Sequence, residues 1–505
     1  MRIFARGLLS VFAALAPCVF AVGAGAQSAR PEHRAGPDIL LLMPDQFRGD
    51  CLSTLGHPAV RTPTLDALAE QGTLFRRAYC TVPSCVPARH SLLTGQYPQT
   101  SGVVGYKGRR ISVPTLPRLL RENGYRTALV GRNMHQFPSS DDLGYTTRLL
   151  GSTYLDGDDY DKALREAAPA TGGIVKLVAD LGLTFNHWQA APWPLDESLH
   201  PSTWVVDRAI ETVRATPAEQ PLFLTASFYA PHPPLFPPAA QFEDYLRAEL
   251  PAPARGDWVA WQALSADGDR QGHRIRLEGP TLQHAQAGYF GLIEHLDQRL
   301  AGLIAAFRER AEAADRPWLV LCTSDHGELL GDHGYFRKCQ PYEGSSNIPM
   351  VIAGSPELGF AVGARNHRPV CLEDILPTIC DLCGIDTPAD VDGRSLVPAL
   401  RGEAVEIRPW LHFEHAPCYD SDQAFHALTD GRHKFVWRPT DGSEQLFDLQ
   451  QDPREEHDLA RDKDAADLCE VWRRRLIERL ASRPEGFSDG ARLIPGREYL
   501  PLMRR

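Results

Sequence analysis

Asp38-Ile39-Leu40-Leu41-Leu42-Met43-Pro44-Asp45-Gln46 is a short, continuous apolar run that ends abruptly in a carboxylate and an amide. A strand buried on both faces of a parallel sheet reads this way, whereas a half-exposed strand would alternate. Working outward, residues 64–71 predict a helix stopped at Gly72, and residues 116–122 another, ended by Gly124. Arg126-Thr127-Ala128-Leu129-Val130 is the next buried strand and runs into Gly131-Arg132-Asn133-Met134-His135. Residues 137–200 show no clear strand and helix alternation and read as an insertion. A helix over 204–213 precedes the strand at 221–228, which runs into Ala230-Pro231-His232-Pro233-Pro234. A long amphipathic helix over 285–308 leads to Trp318-Leu319-Val320-Leu321-Cys322 and then Thr323-Ser324-Asp325-His326-Gly327. Four strands thus end in polar, ionisable loops. Ligands of open α/β sheets bind outside the carboxyl ends of the strands, so Asp45, Gln46, His135, His232, Asp325 and His326 are expected at one edge.

The expected fold class is therefore α/β, a large, mostly parallel sheet flanked by helices over 37–400. After residue 400 the texture changes to short strands and turns (Asp430-Gly431, Asp441-Gly442) followed by a charged helix near 463–481. Residues 401–505 are read as a smaller antiparallel-sheet plus helix (α+β) domain. A length of 505 residues accommodates two such units.

Net charge is −11, without a Lys/Arg-rich run, so nothing suggests a nucleic-acid partner, and any anion must be bound by a local cationic pocket. Residues 1–26 have the form of a Sec-type secretory signal. Arg2 and Arg6 precede an apolar stretch over 8–22, and Ala24-Gly25-Ala26 is a cleavage site after Ala26. No other segment is apolar and long enough for a membrane span, so a periplasmic or secreted protein is expected. Eleven cysteines are present, and in an oxidising compartment some can pair. Cys380 and Cys383 lack a second Cys-x-x-Cys to complete a metal site and are read as core.

The chemistry is concentrated in Cys80-Thr81-Val82-Pro83-Ser84-Cys85-Val86-Pro87-Ala88-Arg89-His90-Ser91-Leu92-Leu93-Thr94-Gly95, a loop that turns into a helix. Pro87 is preset for a first helical turn, which places Cys85 at a helix N-terminus where unpaired N–H groups favour an anion. Arg89 falls one turn later and can lean over the same spot. Cys85 also has plainer explanations, as a small core residue or as a partner for Cys80. The stretch resembles the signature of the type I (formylglycine-dependent) sulfatases, Cys-x-Pro-Ser/Ala-Arg followed by Leu-Leu-Thr-Gly. Gly327-Glu328-Leu329-Leu330-Gly331-Asp332-His333-Gly334 and the C-terminal Leu446-Phe447-Asp448-Leu449 extend the likeness over nearly the whole mature chain.

That resemblance implies an alkaline phosphatase-like fold and the hydrolysis of sulfate esters, with a sulfated saccharide as the expected substrate. It also implies conversion of Cys85 to formylglycine by a formylglycine-generating enzyme, the aldehyde hydrate serving as nucleophile. Asp45, Gln46, Asp325 and His326, with the residue at Cys85, would hold a divalent cation. Mostly oxygen ligation favours Ca2+, with Mn2+ or Mg2+ as alternatives. The resemblance gives Lys338 the sulfate group, His232 the leaving-group proton or a sulfate oxygen, and Arg89 with Lys338 the developing charge. Arg132 and His135 depart from the family's Gly-Lys-x-His by one extra residue, so either His135 or Asn133 can stand as the base. Asp332 and His333 are read as turn residues, and His412 and His415 as structural. Trp188 and Trp193 could stack on sugar rings. The Asp-Gln/Asp-His pattern also occurs in phosphonate monoester and phosphodiester hydrolases, which form the rival reading. A non-catalytic binder of sulfated glycans is a more distant one.

Overall fold

Asp38–Asp45 forms β1, the centre of an eight-stranded sheet in a computed structural model that describes residues 36–266, 273–420 and 423–504. The signal-like segment at 1–26 lies outside the described residues. Every residue of β1 is buried, and the reason is visible in its two faces. Ile39, Leu41 and Met43 enter one apolar core, and Leu40 and Leu42 enter the other. Burying each such leucine contributes about 1.5–3 kcal/mol relative to exposure. An alternating strand could not supply both cores.

The remaining strands of this sheet are β2 (Thr73–Phe75), β4 (Arg126–Gly131), β5 (Thr147–Leu150), β6 (Leu222–Pro231), β7 (Trp318–Thr323), β8 (Met350–Gly354) and β9 (Ala364–Asn366). A two-stranded sheet pairs β3 (Ala78–Tyr79) with β10 (Val370–Cys371). The order in the large sheet is β5-β4-β6-β1-β7-β8-β2-β9. From β5 through β7 every pair is parallel, and β8 enters antiparallel on both sides. Leu40 stands opposite Leu224 on one side and Val320 on the other. The carboxyl ends of β4, β6, β1 and β7 are therefore contiguous.

One face is covered by the helices Pro201–Arg214 and Gly279–Ala313, the second longer at both ends than the apolar periodicity of 285–308 indicates. The other is covered by Cys85–Thr94, Leu116–Glu122 and Ile375–Cys383. Cys380 packs in that core, and Cys383 Sγ lies 3.2 Å from the Tyr125 hydroxyl, so neither belongs to a metal site.

The reading of 137–200 as an insertion is corrected in part. Residues 147–150 add β5 to the edge of the sheet, and the helices Asp159–Ala167 and Ile174–Asp180 build a small core of their own. Trp193 belongs to that core and Trp188 to the main one, with 4% and 8% exposure, so neither offers a free ring to a sugar.

The four-stranded antiparallel sheet β11 (Leu411–His415), β12 (Phe425–Thr429), β13 (His433–Trp437) and β14 (Glu444–Asp448) follows in sequence order. The helix Ala466–Leu480 packs on it through Trp472, Leu476 and Leu480 against Leu428, Phe435 and Trp437. No described helix is long and apolar enough to cross a membrane.

Candidate active site

Cys85 is the first residue of its helix, which Gly95 closes in the left-handed conformation at φ 67°. Ser84 precedes it with extended backbone and gives no side-chain cap. Its Oγ instead pairs with His415 Nε2 at 2.7 Å. His415 is thus structural in a specific way, pinning the loop under the nucleophile from β11. Cys80 is buried and free, so the Cys80–Cys85 disulfide is not formed.

Cys85 Sγ lies 3.1 Å from His326 Nε2, 3.4 Å from Lys338 Nζ and 3.7 Å from Asp45 Oδ1. Asp45, Cys85, Asp325 and His326 each present one donor atom within 4.8 Å of all the others. Burial, with Asp45 adding to it, pushes the Cys85 thiol up to about 12, so it is not a thiolate at neutral pH. Burial favours the neutral form of Asp45, but Arg132, His232 and Arg89 outweigh it and hold this carboxyl well below the usual range.

These side chains fit a divalent cation. His326 Nδ1 pairs with the Gly327 carbonyl at 2.9 Å, and burial keeps the imidazole neutral, so the Nε2 lone pair faces inward. It points at Asp45 Oδ1 and Asp325 Oδ1, 3.8 and 3.7 Å away. A lone pair against two buried carboxylates is repulsive unless a cation stands between them. Gln46 takes a left-handed backbone, φ 67°, which turns its amide toward the same place. Its Nε2 donates to Glu328, leaving Oε1 to accept from Lys338 Nζ at 2.8 Å. Glu328, not singled out as a site residue in the sequence, thereby orients the amide oxygen. Asp332 and His333 stay outside: Asp332 accepts from Arg48 at 2.7 Å, and His333 Nδ1 accepts from the Gly256 N–H at 3.1 Å.

Arg89 requires a correction. Its guanidinium donates to Asp325 Oδ2 (3.0 Å), Asp45 Oδ2 (2.9 Å), Ser227 Oγ (3.1 Å) and the Asn133 carbonyl (3.1 Å), all without solvent exposure. It positions the carboxylates and does not reach toward a substrate. Arg132, also buried, is the cavity end of the same charge system. Its Nε lies 2.6 Å from Asp45 Oδ2, while the buried Nη1 has no partner. Gly131, at φ 100°, makes this turn possible, since a Cβ there would stand 2.0 Å from the Ser227 carbonyl oxygen.

The extra residue in 131–135 is absorbed by His135 itself, at φ 53°. Asn133 Oδ1 accepts the His135 N–H at 3.1 Å, and its amide nitrogen donates to the Tyr154 hydroxyl at 3.1 Å. His135, not Asn133, therefore lines the open space, with Nε2 accepting from Arg132 Nη2 at 3.0 Å. That space is a cavity of about 230 Å³ above the cysteine, bounded by His135, Arg132, His232 and Lys338 on one side. Tyr106, Tyr154, Phe185, Tyr229 and Tyr419 add an aromatic wall, with Asn186 and Cys418 completing the lining. These aromatics carry no motif and were not legible as a group. The Arg132 guanidinium sits over the rings of Tyr229 and Tyr154, 4.6 and 5.3 Å from their centres.

The acid also needs restating. Burial, then Lys338, keep His232 neutral, and its Nδ1 pairs with the Pro233 carbonyl at 2.7 Å. Nε2 therefore accepts from Lys338 Nζ, 3.0 Å away. The proton sits on the lysine and His232 is its neighbour, so the two form one donor unit.

A buried di-carboxylate and imidazole cluster at the carboxyl edge of a parallel sheet, with Cys85 at a helix N-terminus beside it, agrees with a hydrolase of the alkaline phosphatase superfamily. The Sulfatase family model matches residues 37–385, and the N-sulphoglucosamine sulphohydrolase C-terminal model matches 331–482. The chain belongs to the sulfatase family and is a sulfuric ester hydrolase. It is 35% identical over 483 residues to an arylsulfatase of Clostridium perfringens, covering 91% of this chain and 98% of the relative. It is 30% identical to a choline-sulfatase of Rhizobium meliloti, covering 84% and 82%. Among solved structures it resembles the phosphonate monoester hydrolase of Agrobacterium radiobacter, with TM-score 0.73, 25% identity, and 88% and 95% coverage.

Proposed function

We propose that this chain is an exported sulfatase, with catalytic residues in 37–400 and a supporting domain in 401–505, acting on the sulfate ester of a single-ring leaving group, a sugar foremost. The observation that carries this reading is the unpartnered, buried Nη1 of Arg132 at the wall of an aromatic cavity that also holds Lys338. A buried cationic donor without an acceptor costs stability, and an ester sulfate oxygen would supply the missing partner. The aromatic wall suits the face of one ring.

Asp45, Gln46, Asp325 and His326, with the side chain at position 85, would hold the metal, for which Ca2+ is the first choice and Mn2+ or Mg2+ the alternatives. Such a cation would withdraw charge from the ester oxygens and acidify a coordinated hydroxyl. A formylglycine made from Cys85 by a formylglycine-generating enzyme would supply that hydroxyl, which the high thiol pKa of unmodified Cys85 cannot replace. Arg132 and Lys338 bind the sulfate oxygens. Lys338 Nζ holds the proton for the departing oxygen, with His232 Nε2 beside it as relay. His135, neutral because burial and then Arg132 depress it, is the base. Arg89 holds Asp45 and Asp325 in place.

Two measurements test this. Mass analysis of the Cys85 peptide should show a loss of about 18 Da relative to cysteine, and an alkylatable thiol in active enzyme would refute the conversion. Hydrolysis rates for an aryl sulfate, an aryl phosphodiester and an aryl phosphonate should rank the sulfate first. The likeness to the phosphonate monoester hydrolase supports a second reading, hydrolysis of phosphonate monoesters or phosphodiesters, which the opposite ranking would establish.

A further inference from the structure

Two cysteines outside the proposed chemistry lie by the cavity, Cys418 in its lining and Cys339 fully buried next to the lining residue Lys338. Cys339 directly follows Lys338 and takes a left-handed backbone, φ 68°. Its N–H donates to the Pro83 carbonyl at 2.9 Å, in the loop that leads to Cys85. Cys418 comes from the far side, three residues beyond β11, is partly buried and lines the cavity beside Tyr419. The two segments touch where the Arg337 guanidinium stacks on Tyr419, and the two thiols act on each other, Cys339 being pushed up and Cys418 drawn down. The Cys339 thiol and the nearby Lys338 and Arg337 cations favour thiolate formation at Cys418.

We propose that Cys339 and Cys418 are a reversible disulfide pair that fixes the Tyr419 wall of the cavity to the backbone carrying Lys338. In the forming step the Cys418 thiolate attacks one sulfur of an external disulfide, either glutathione disulfide or a disulfide-carrying oxidoreductase, and expels one thiolate. The Cys339 thiol, which burial keeps protonated, then gives up its proton as it attacks Cys418 Sγ of the mixed disulfide, and the second thiolate is expelled and takes a proton. The two cysteines lose two protons and two electrons, and the external disulfide leaves as two thiols. Tyr419 packs under the Arg337 guanidinium, 4.9 Å from the ring centre. The bond would therefore add a covalent tie between the aromatic wall and the segment Arg337-Lys338-Cys339, which the Arg337–Tyr419 contact already joins. The effect on substrate rests on the reading of this cavity as the substrate site, whereas the bond itself does not.

The test uses the full-length protein, incubated with glutathione disulfide or with dithiothreitol, alkylated, and digested without reductant. After oxidation the peptides of Cys339 and Cys418 should appear as one linked species, about 2 Da lighter than their sum. KM for an aryl sulfate should fall about threefold on oxidation with kcat unchanged, the sign of a binding wall and not of the chemical step. Cys339→Ser and Cys418→Ser should each remove both the linked species and the KM response. Alkylation of both thiols after oxidation, linkage to another cysteine, or a KM that ignores the redox state would each overturn the proposal. Peptide linkage is read without turnover, so a protein inactive on sulfate esters would sink the functional reading and leave this one standing.

Discussion

Lys338 Nζ and His232 Nε2 are 3.0 Å apart, and the His232 bond to Pro233 leaves the lysine as the only one of the two that can hold the shared proton. Lys338→Ala should therefore lower kcat/KM for sulfates of poor leaving groups, such as sugar alcohols, by about 10²–10⁴-fold. A sulfate of an acidic phenol needs less protonation and should lose much less. A plot of rate against leaving-group pKa, steeper in the variant, is the check. Parallel plots would show that Lys338 only binds.

Arg89 holds Asp45 and Asp325 at full burial, so its removal strands Asp325 in a dry interior and leaves Asp45 to Arg132. Arg89→Met should cost about 3–5 kcal/mol in urea unfolding, since breaking a buried pair leaves uncompensated charge. Arg89→Lys should not restore it, because one ammonium cannot reproduce the fork that spans both carboxylates and Ser227.

Chelation followed by readdition of single cations tests the metal site apart from turnover. A cation that binds only the folded protein should raise stability by about 2.7 kcal/mol at a free concentration about 100 times its Kd. Ca2+ is expected to do so more effectively than Mg2+, and Asp325→Asn should abolish the response. Equal melting temperatures with and without every cation would exclude the site.

The second histidine and carboxylate cluster, His412, Glu414 and His426, is closed by Arg483, which donates to Glu414 at 2.8 Å, and by the Tyr499 hydroxyl. It makes the C-terminal sheet acid-labile. Burial depresses His426 to about 3 and keeps His412 well below its ordinary value. A lowered folded pKa means that stability is intact above the unfolded value near 6.5 and is lost as pH falls below it. Burial raises the Glu414 carboxyl, but Arg483 and both histidines hold it low, so its contribution is lost only below about pH 4.5. Each such group should cost on the order of 1 kcal/mol per pH unit within its window. Thermal melts from pH 8 to 4 should fall from pH 6.5 downward, and His426→Gln should flatten the decline.

Much of this was legible in the chain. The unbroken apolar run at 38–43 announces a strand buried on two faces, and the polar residues at four strand ends gather because those strands are neighbours. The Cys85 motif carried the family. What the sequence hides is set by partners distant along the chain. Arg89 looks poised over the nucleophile until Asp45 and Asp325 are seen to occupy it. β5 goes unannounced because an edge strand of four half-buried residues has too little pattern to read. The aromatic wall draws Tyr106, Tyr154, Tyr229 and Tyr419 from four separate segments, and no spacing links them.

The bond between Ser84 and His415 joins residues 331 positions apart. Around it Glu414 and Ala416 donate to the carbonyls of Thr81 and Val104, at 2.9 and 2.7 Å. During synthesis the segment bearing Cys85 thus emerges long before the strand that fastens it. Once that strand arrives, the thiol is sealed at 1% exposure. An enzyme that converts Cys85 would have to reach it before that strand closes over the loop, and a folded molecule that escaped conversion would need to open there to be converted.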